Sequence, residues 1–160
     1  MSSRRARALV LATVLLAACD AFARKPAVEV SAADANLNTR WHGTLATPRV
    51  LAGAVQMSGE ATMAPTPDGR TTVTVELANA MRGGVHPWQV HLGQCGADQG
   101  LLGAAAAYAP LKVDGDGRAS GSATLPVTTP VAGPYFVSVQ ASSANAAMVV
   151  ACGNLAPPTR

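Results

Sequence analysis

From Trp41 onward apolar and polar residues alternate with a period of two, and turn-forming residues interrupt the alternation about every ten positions. Thr44 to Thr47 reads as a short first strand. Between Ala54 and Met63, the apolar or small residues Val55, Met57, Gly59, Ala61 and Met63 alternate with Gln56, Ser58, Glu60 and Thr62. The run Pro65-Thr66-Pro67-Asp68-Gly69 predicts a turn, because proline presets φ and glycine accepts positive φ. Thr71 to Leu77 alternates again, with Val73, Val75 and Leu77 on one face. Gly83-Gly84 separates this strand from Trp88 to Leu92, and Asp114-Gly115-Asp116-Gly117 marks a further turn before a strand over Ser120 to Val127. Tyr135 to Ala141 and Ala147 to Cys152 complete the set. The Gly-rich segments Gly93 to Gly103 and Gly115 to Gly121 read as loops and turns, as does the Ala104 to Ala107 run inside its own Gly-rich connection. About seven or eight short strands and no amphipathic helix predict an all-β sandwich or barrel of antiparallel strands.

The first forty residues carry a different pattern. Arg4, Arg5 and Arg7 precede eleven uncharged, mostly apolar residues, Ala8 to Ala18. A run that short does not span a hydrocarbon core, which takes about 20 residues, and the flanking charge is that of a secretory signal. It ends in Leu16-Ala17-Ala18-Cys19, which looks like a bacterial lipobox. Residues 1–18 are therefore expected to be a lipoprotein signal peptide, with Cys19 the lipidated residue and the membrane a partner through that anchor. The expected location is the bacterial cell envelope, on its periplasmic or outer surface. Residues 19–40 are polar and Ala-rich, with Pro26, Asn36 and Asn38, and read as a tether to a folded domain at 41–160.

Charge changes the picture once it is located. The chain has 12 basic and 9 acidic residues, but Arg4, Arg5 and Arg7 lie in the targeting segment; without them nine basic residues face nine acidic ones. The remaining chain has no Lys/Arg cluster to neutralise phosphates and aromatics form only 4% of the whole, which argues against a nucleic-acid partner. No serine has an identifiable histidine and acid beside it in the manner of a nucleophile–base pair. With Cys19 committed to lipid, Cys95 and Cys152 form one even pair in an oxidising compartment, most economically a single disulfide. A thiol metal or redox site is the alternative, weakened by the lack of a C-x-x-C spacing.

Gly84-Val85-His86-Pro87-Trp88-Gln89-Val90-His91-Leu92-Gly93-Gln94-Cys95 resembles the copper/zinc superoxide dismutase signature, G-x-H-G-F-H-V-H-x-x-G-D followed by a cysteine. Ala107-Tyr108-Ala109-Pro110-Leu111 is similar to that family's G-P-H-F-N-P-L segment, Gly133 to Gln140 to its strand ending V-V-H, and Ala151-Cys152-Gly153-Asn154-Leu155 to A-C-G-V-I. The resemblance covers about residues 43 to 155 and implies a Greek-key sandwich of eight antiparallel strands, with a disulfide between the positions of Cys95 and Cys152. It also implies a loss. Of the family's copper-binding histidines only His91 is matched, and the other positions carry Gln89, Ala107 and Gln140. The zinc-binding loop is cut to Leu111-Lys112-Val113-Asp114, and Val149 stands where the family guides superoxide with an arginine. His86 matches a structural histidine of the family that bonds to loop backbone.

Strand parity places Trp88 and Val90 on the core face, so Gln89 and His91 point the other way together; Val137 and Val139 do the same for Ser138 and Gln140. The leading expectation is a lipid-anchored domain with this scaffold in a non-catalytic binding or structural role, with an envelope protein as a partner and no cofactor. The alternative is a copper-binding or residually active relative that uses His91 with Gln89 and Gln140, or with thioethers of Met57, Met63, Met81 and Met148 as soft Cu(I) ligands. A third reading is an unrelated small secreted β-domain of the chordin-domain kind, in which the histidines are coincidental.

Overall fold

The structure is a computed structural model that describes residues 39–54 and 56–159. The expected signal peptide, Cys19 and nearly all of the expected tether lie outside the described residues. Among the described residues ten strands follow in chain order: β1 (Trp41–Ala46), β2 (Ser58–Pro65), β3 (Thr71–Ala78), β4 (Val85–His86), β5 (Trp88–Gln94), β6 (Ala97–Leu101), β7 (Leu111–Lys112), β8 (Ala119–Leu125), β9 (Tyr135–Gln140) and β10 (Val149–Leu155). Arg49–Leu51 and Ala105–Ala107 are single 3-10 turns. Eight strands make one antiparallel sheet in the order β6-β5-β9-β10-β1-β2-β3-β8, and β4 pairs with β7 in a separate two-stranded ladder.

Alternation of side chains explains the layering. Trp41 and Leu45 of β1, Ala61 and Met63 of β2, and Val73, Val75 and Leu77 of β3 are buried on one face, with polar residues between them. Trp88 and Val90 of β5, Val137 and Val139 of β9, and Ala123 and Leu125 of β8 join them in a single core. The sheet curls so that strands far apart in its order meet: Trp88 of β5 lies against Gly121 of β8, with Leu111 of β7, from the separate ladder, packed there too. Both tryptophans satisfy their indole N–H on distant carbonyls, Trp41 Nε1 donating to Pro130 O and Trp88 Nε1 to Ala109 O, each at 2.8 Å. Trp88 also meets Tyr108 edge-on, with ring centroids 5.1 Å apart.

The predicted turns form with the expected chemistry. Thr66 hydroxyl bonds to the Asp68 carboxylate and accepts from Arg70 N, closing the β2–β3 hairpin. Asp114 Oδ1 accepts from both Asp116 N and Arg118 N at 2.9 Å, and the carboxyl is held below its ordinary range by those amides. One expectation is corrected. The segment 93–103 is not all loop: Ala97–Leu101 is the edge strand β6, paired with β5. Its first four residues are exposed, so no hydrophobic alternation announces it. Gly93, at φ 102°, carries the bulge that lets β5 turn into it, and a Cβ there would stand 2.2 Å from Ala97 O. Residues 119–121 of the other Gly-rich segment likewise belong to a strand, β8, and Ala105–Ala107 is a 3-10 turn inside its loop.

Candidate functional site

The face of β5, β9 and β10 turned away from the core carries the residues singled out by parity. Register places Gln89 opposite Ser138, and Ser138 in turn opposite Cys152, in one row across three strands. His91 lies opposite Phe136 in the next row, and their rings stack with centroids 5.1 Å apart and an interplanar angle of 20°. Gln140 ends β9 on the same face. Gln89, His91, Ser138 and Gln140 therefore line one cleft of about 940 Å³.

The cleft is deeper than an open sheet face. Ser138 is 3% exposed and Gln140 6%, although both point away from the core. The 3-10 turn at Arg49–Leu51 and the Ala146–Val149 segment wall the cleft on the side of β10 and β1. On the other side the tip of the β5–β6 hairpin is pinned to the sheet. Cys95 and Cys152 form a disulfide with Cα atoms 6.0 Å apart, and Cys95 N donates to Asn154 Oδ1 at 2.9 Å.

His91 has an orienting partner that the sequence did not reveal. Asp98, on β6, brings Oδ2 to 3.0 Å from Nδ1 of His91. The approach is off the ring N–H direction, so the contact is a close imidazole–carboxylate approach without an aligned hydrogen bond. The Asp98 carboxyl is held below its ordinary range, first by the Gly100 amide donating to Oδ1 at 2.8 Å and then by the His91 charge. The only sequence signal was a carboxylate seven positions on from a histidine. That spacing acquires meaning once a bulged hairpin folds between the two residues.

The remaining polar groups bond among themselves. Gln140 Nε2 donates to Ser138 Oγ at 2.9 Å, and Gln140 Oε1 is buried without a partner. Ser138 is thus engaged by a carboxamide rather than by His91, which sits a diagonal step away across the β5–β9 ladder. That arrangement gives the cleft hydrogen-bonding groups and one imidazole–carboxylate pair, but no activated nucleophile. Among the described residues, no three His, Cys, Asp or Glu side chains form a group that could hold a metal ion.

The other singled-out residues lie elsewhere. His86 does not join His91; its Nδ1 donates at 3.0 Å to the backbone carbonyl of Gln140, and it faces a second cleft. Ala107, at a ligand position implied by the resemblance, is in the 3-10 turn next to Tyr108 and is not among the residues lining the His91 cleft. Met57 and Met63 are core residues, 4% and 0% exposed, whereas Met81 and Met148 are exposed. No protein-family model and no curated protein matches the chain.

Proposed function

We propose that the protein is a lipid-anchored component of the bacterial cell envelope whose superoxide dismutase-like Greek-key domain serves as a binding module without dismutase chemistry. The observation that carries this reading is the composition of the cleft over β5 and β9: one imidazole already facing a carboxylate, two carboxamides and a hydroxyl, over an apolar floor. Copper that cycles between two redox states needs several imidazoles, and carboxamides are poor substitutes. The donor set does not fit the family's metal. It does fit a small ligand or a partner's side chain that inserts an apolar body and offers an N–H or O–H to the unpartnered Gln140 Oε1. Support for the scaffold comes from the strand order, in which the last strand β10 returns beside β1 and β8 returns beside β3. The Cys95–Cys152 bridge falls where the resemblance implies one.

The test loads the full chain with copper(II) and zinc(II), desalts it, and measures retained metal and superoxide dismutation. Both are expected at background. Near one copper per chain, lost in His91→Ala, overturns the reading in favour of a metal site at His91. The anchor is tested separately: Cys19→Ala is expected to move the protein from the membrane to the soluble fraction, and unchanged partitioning removes the lipid from the proposal.

A further inference from the structure

A second cleft, of about 660 Å³, opens on the side of the domain where β2 begins, β3 ends and the β9–β10 connection passes. Among the described residues its lining holds three of the chain's five methionines, Met57, Met81 and Met148, together with His86, and no Asp, Glu, Lys or Arg. Burial grades these thioethers from floor to rim. Met57 is 4% exposed, Met148 42% and Met81 79%. A methionine at 79% exposure contributes nothing to a core, so packing does not account for its presence beside the other two.

His86 is set up as a lone-pair donor. Its Nδ1 lies 3.0 Å from Gln140 O, which can only accept, so Nδ1 carries a proton, and in the neutral tautomer with that bond the lone pair is on Nε2. Holding one ring nitrogen on a backbone carbonyl is how metal-binding imidazoles are commonly oriented. Nε2 is buried and has no hydrogen-bond partner. Nε2 packs against the Gly84 backbone: a Cβ at position 84 would stand 2.9 Å from Nε2 and 2.8 Å from Met81 O, so only glycine leaves room for the ring there.

We propose that this cleft is a Cu(I) site, with His86 Nε2 and the thioethers of Met57, Met81 and Met148 as ligands. Thioether sulfur is a soft donor that selects Cu(I). All four donors are neutral, so nothing in the lining offsets the second charge of a divalent ion on leaving water, whereas a monovalent ion carries less to offset. Zinc, which takes thiolate, carboxylate and several imidazoles, is disfavoured by the same set. His86 and His91 line different cavities, while Met148 lies between them and lines both.

The test titrates the full chain with Cu(I), without oxygen, in competition with bicinchoninate. One Cu(I) per chain is expected, with sulfur and nitrogen neighbours in X-ray absorption. His86→Gln would also disturb the bond to Gln140, so the informative variant is Met81→Leu/Met148→Leu, which changes exposed residues only. It is expected to weaken binding at least about tenfold, as loss of ligands does. His91→Ala is expected to leave Cu(I) affinity unchanged. Failure of the wild-type chain to withdraw Cu(I), wild-type affinity in the methionine double variant, or loss of binding in His91→Ala would each overturn the proposal.

Discussion

Oδ2 of Asp98 stands 3.0 Å from Nδ1 of His91, across a hairpin whose bulge at Gly93 is what brings the two strands' side chains together. The carboxylate belongs to an exposed edge strand and the imidazole to the wall of a cleft, so the pair joins solvent to the site. Its two anchors contribute unequally: the Gly100 amide lowers the Asp98 carboxyl more than the His91 charge does. His91→Ala is therefore expected to raise the Asp98 pKa only part of the way to its ordinary 3.8, as followed by carboxyl NMR titration. A full return to that value would assign the effect to the imidazole instead.

The Cys95–Cys152 bridge spans a sequence separation of 57 residues. Chain entropy alone then predicts a loss of about 4 kcal/mol on its removal. Cys95→Ser/Cys152→Ser is expected to lower the denaturation midpoint accordingly, with a steeper unfolding slope because the unlinked chain unfolds to a more expanded ensemble. A loss below about 1 kcal/mol would mean that the hairpin tip is held mainly by Asn154 and neighbouring packing.

Burial pushes the Tyr108 hydroxyl up to about 12, while the OH donates to Leu102 O. A group raised above its unfolded value of 10.0 contributes stability that is complete below pH 10.0 and is lost as the pH climbs through about 12. Tyr108→Phe should cost about 1 kcal/mol at neutral pH, through the stranded Leu102 carbonyl. The gap between wild type and variant is expected to shrink above pH 10.0 in urea denaturation curves. A constant gap across that interval would contradict the buried, neutral hydroxyl.

Gln140 and Ser138 form a closed pair in the cleft that leaves Gln140 Oε1 unsatisfied. Replacing both polar partners by apolar groups removes an unmet desolvation cost of roughly 1–3 kcal/mol. Ser138→Ala/Gln140→Met is thus expected to be neutral or stabilising in chemical denaturation, as when a site keeps polar groups for a ligand at the expense of stability. Destabilisation beyond about 1 kcal/mol would show that both groups serve the fold.

Legibility in the sequence followed the hydrophobic signal. β3 stands out because Val73, Val75 and Leu77 alternate with Thr72, Thr74 and Glu76, and its inner face is buried as that pattern requires. Parity alone put Gln89, His91, Ser138 and Gln140 on one face, since a strand allows no other arrangement once Val90 and Val139 face the core. What escaped has a physical cause in each case. β6 is an edge strand with one partner and little to bury, so it carries no alternation. The depth of the cleft depends on Arg49–Leu51 and Ala146–Val149, segments far from β5 in sequence that come near it because β10 and β1 lie beside β9 in the strand order. The gathering of Met57, Met81 and Met148 beside His86 is likewise tertiary: each taken singly reads as a core filler or a surface residue.

The main sheet is open-ended, terminating in β6 on one side and β8 on the other, and open ends invite other chains to continue the ladder. β6 declines that invitation by its composition. It is five residues long, places the charge of Asp98 on its exposed run, and breaks its extended line at Gly100, whose φ is 125° and whose amide is already taken by Asp98. The carboxylate that pairs with His91 thus also acts as a terminator of strand addition. A substitution made at Asp98 to alter the cleft would at the same time loosen the guard against self-association, so chemistry and solubility in this domain share one side chain.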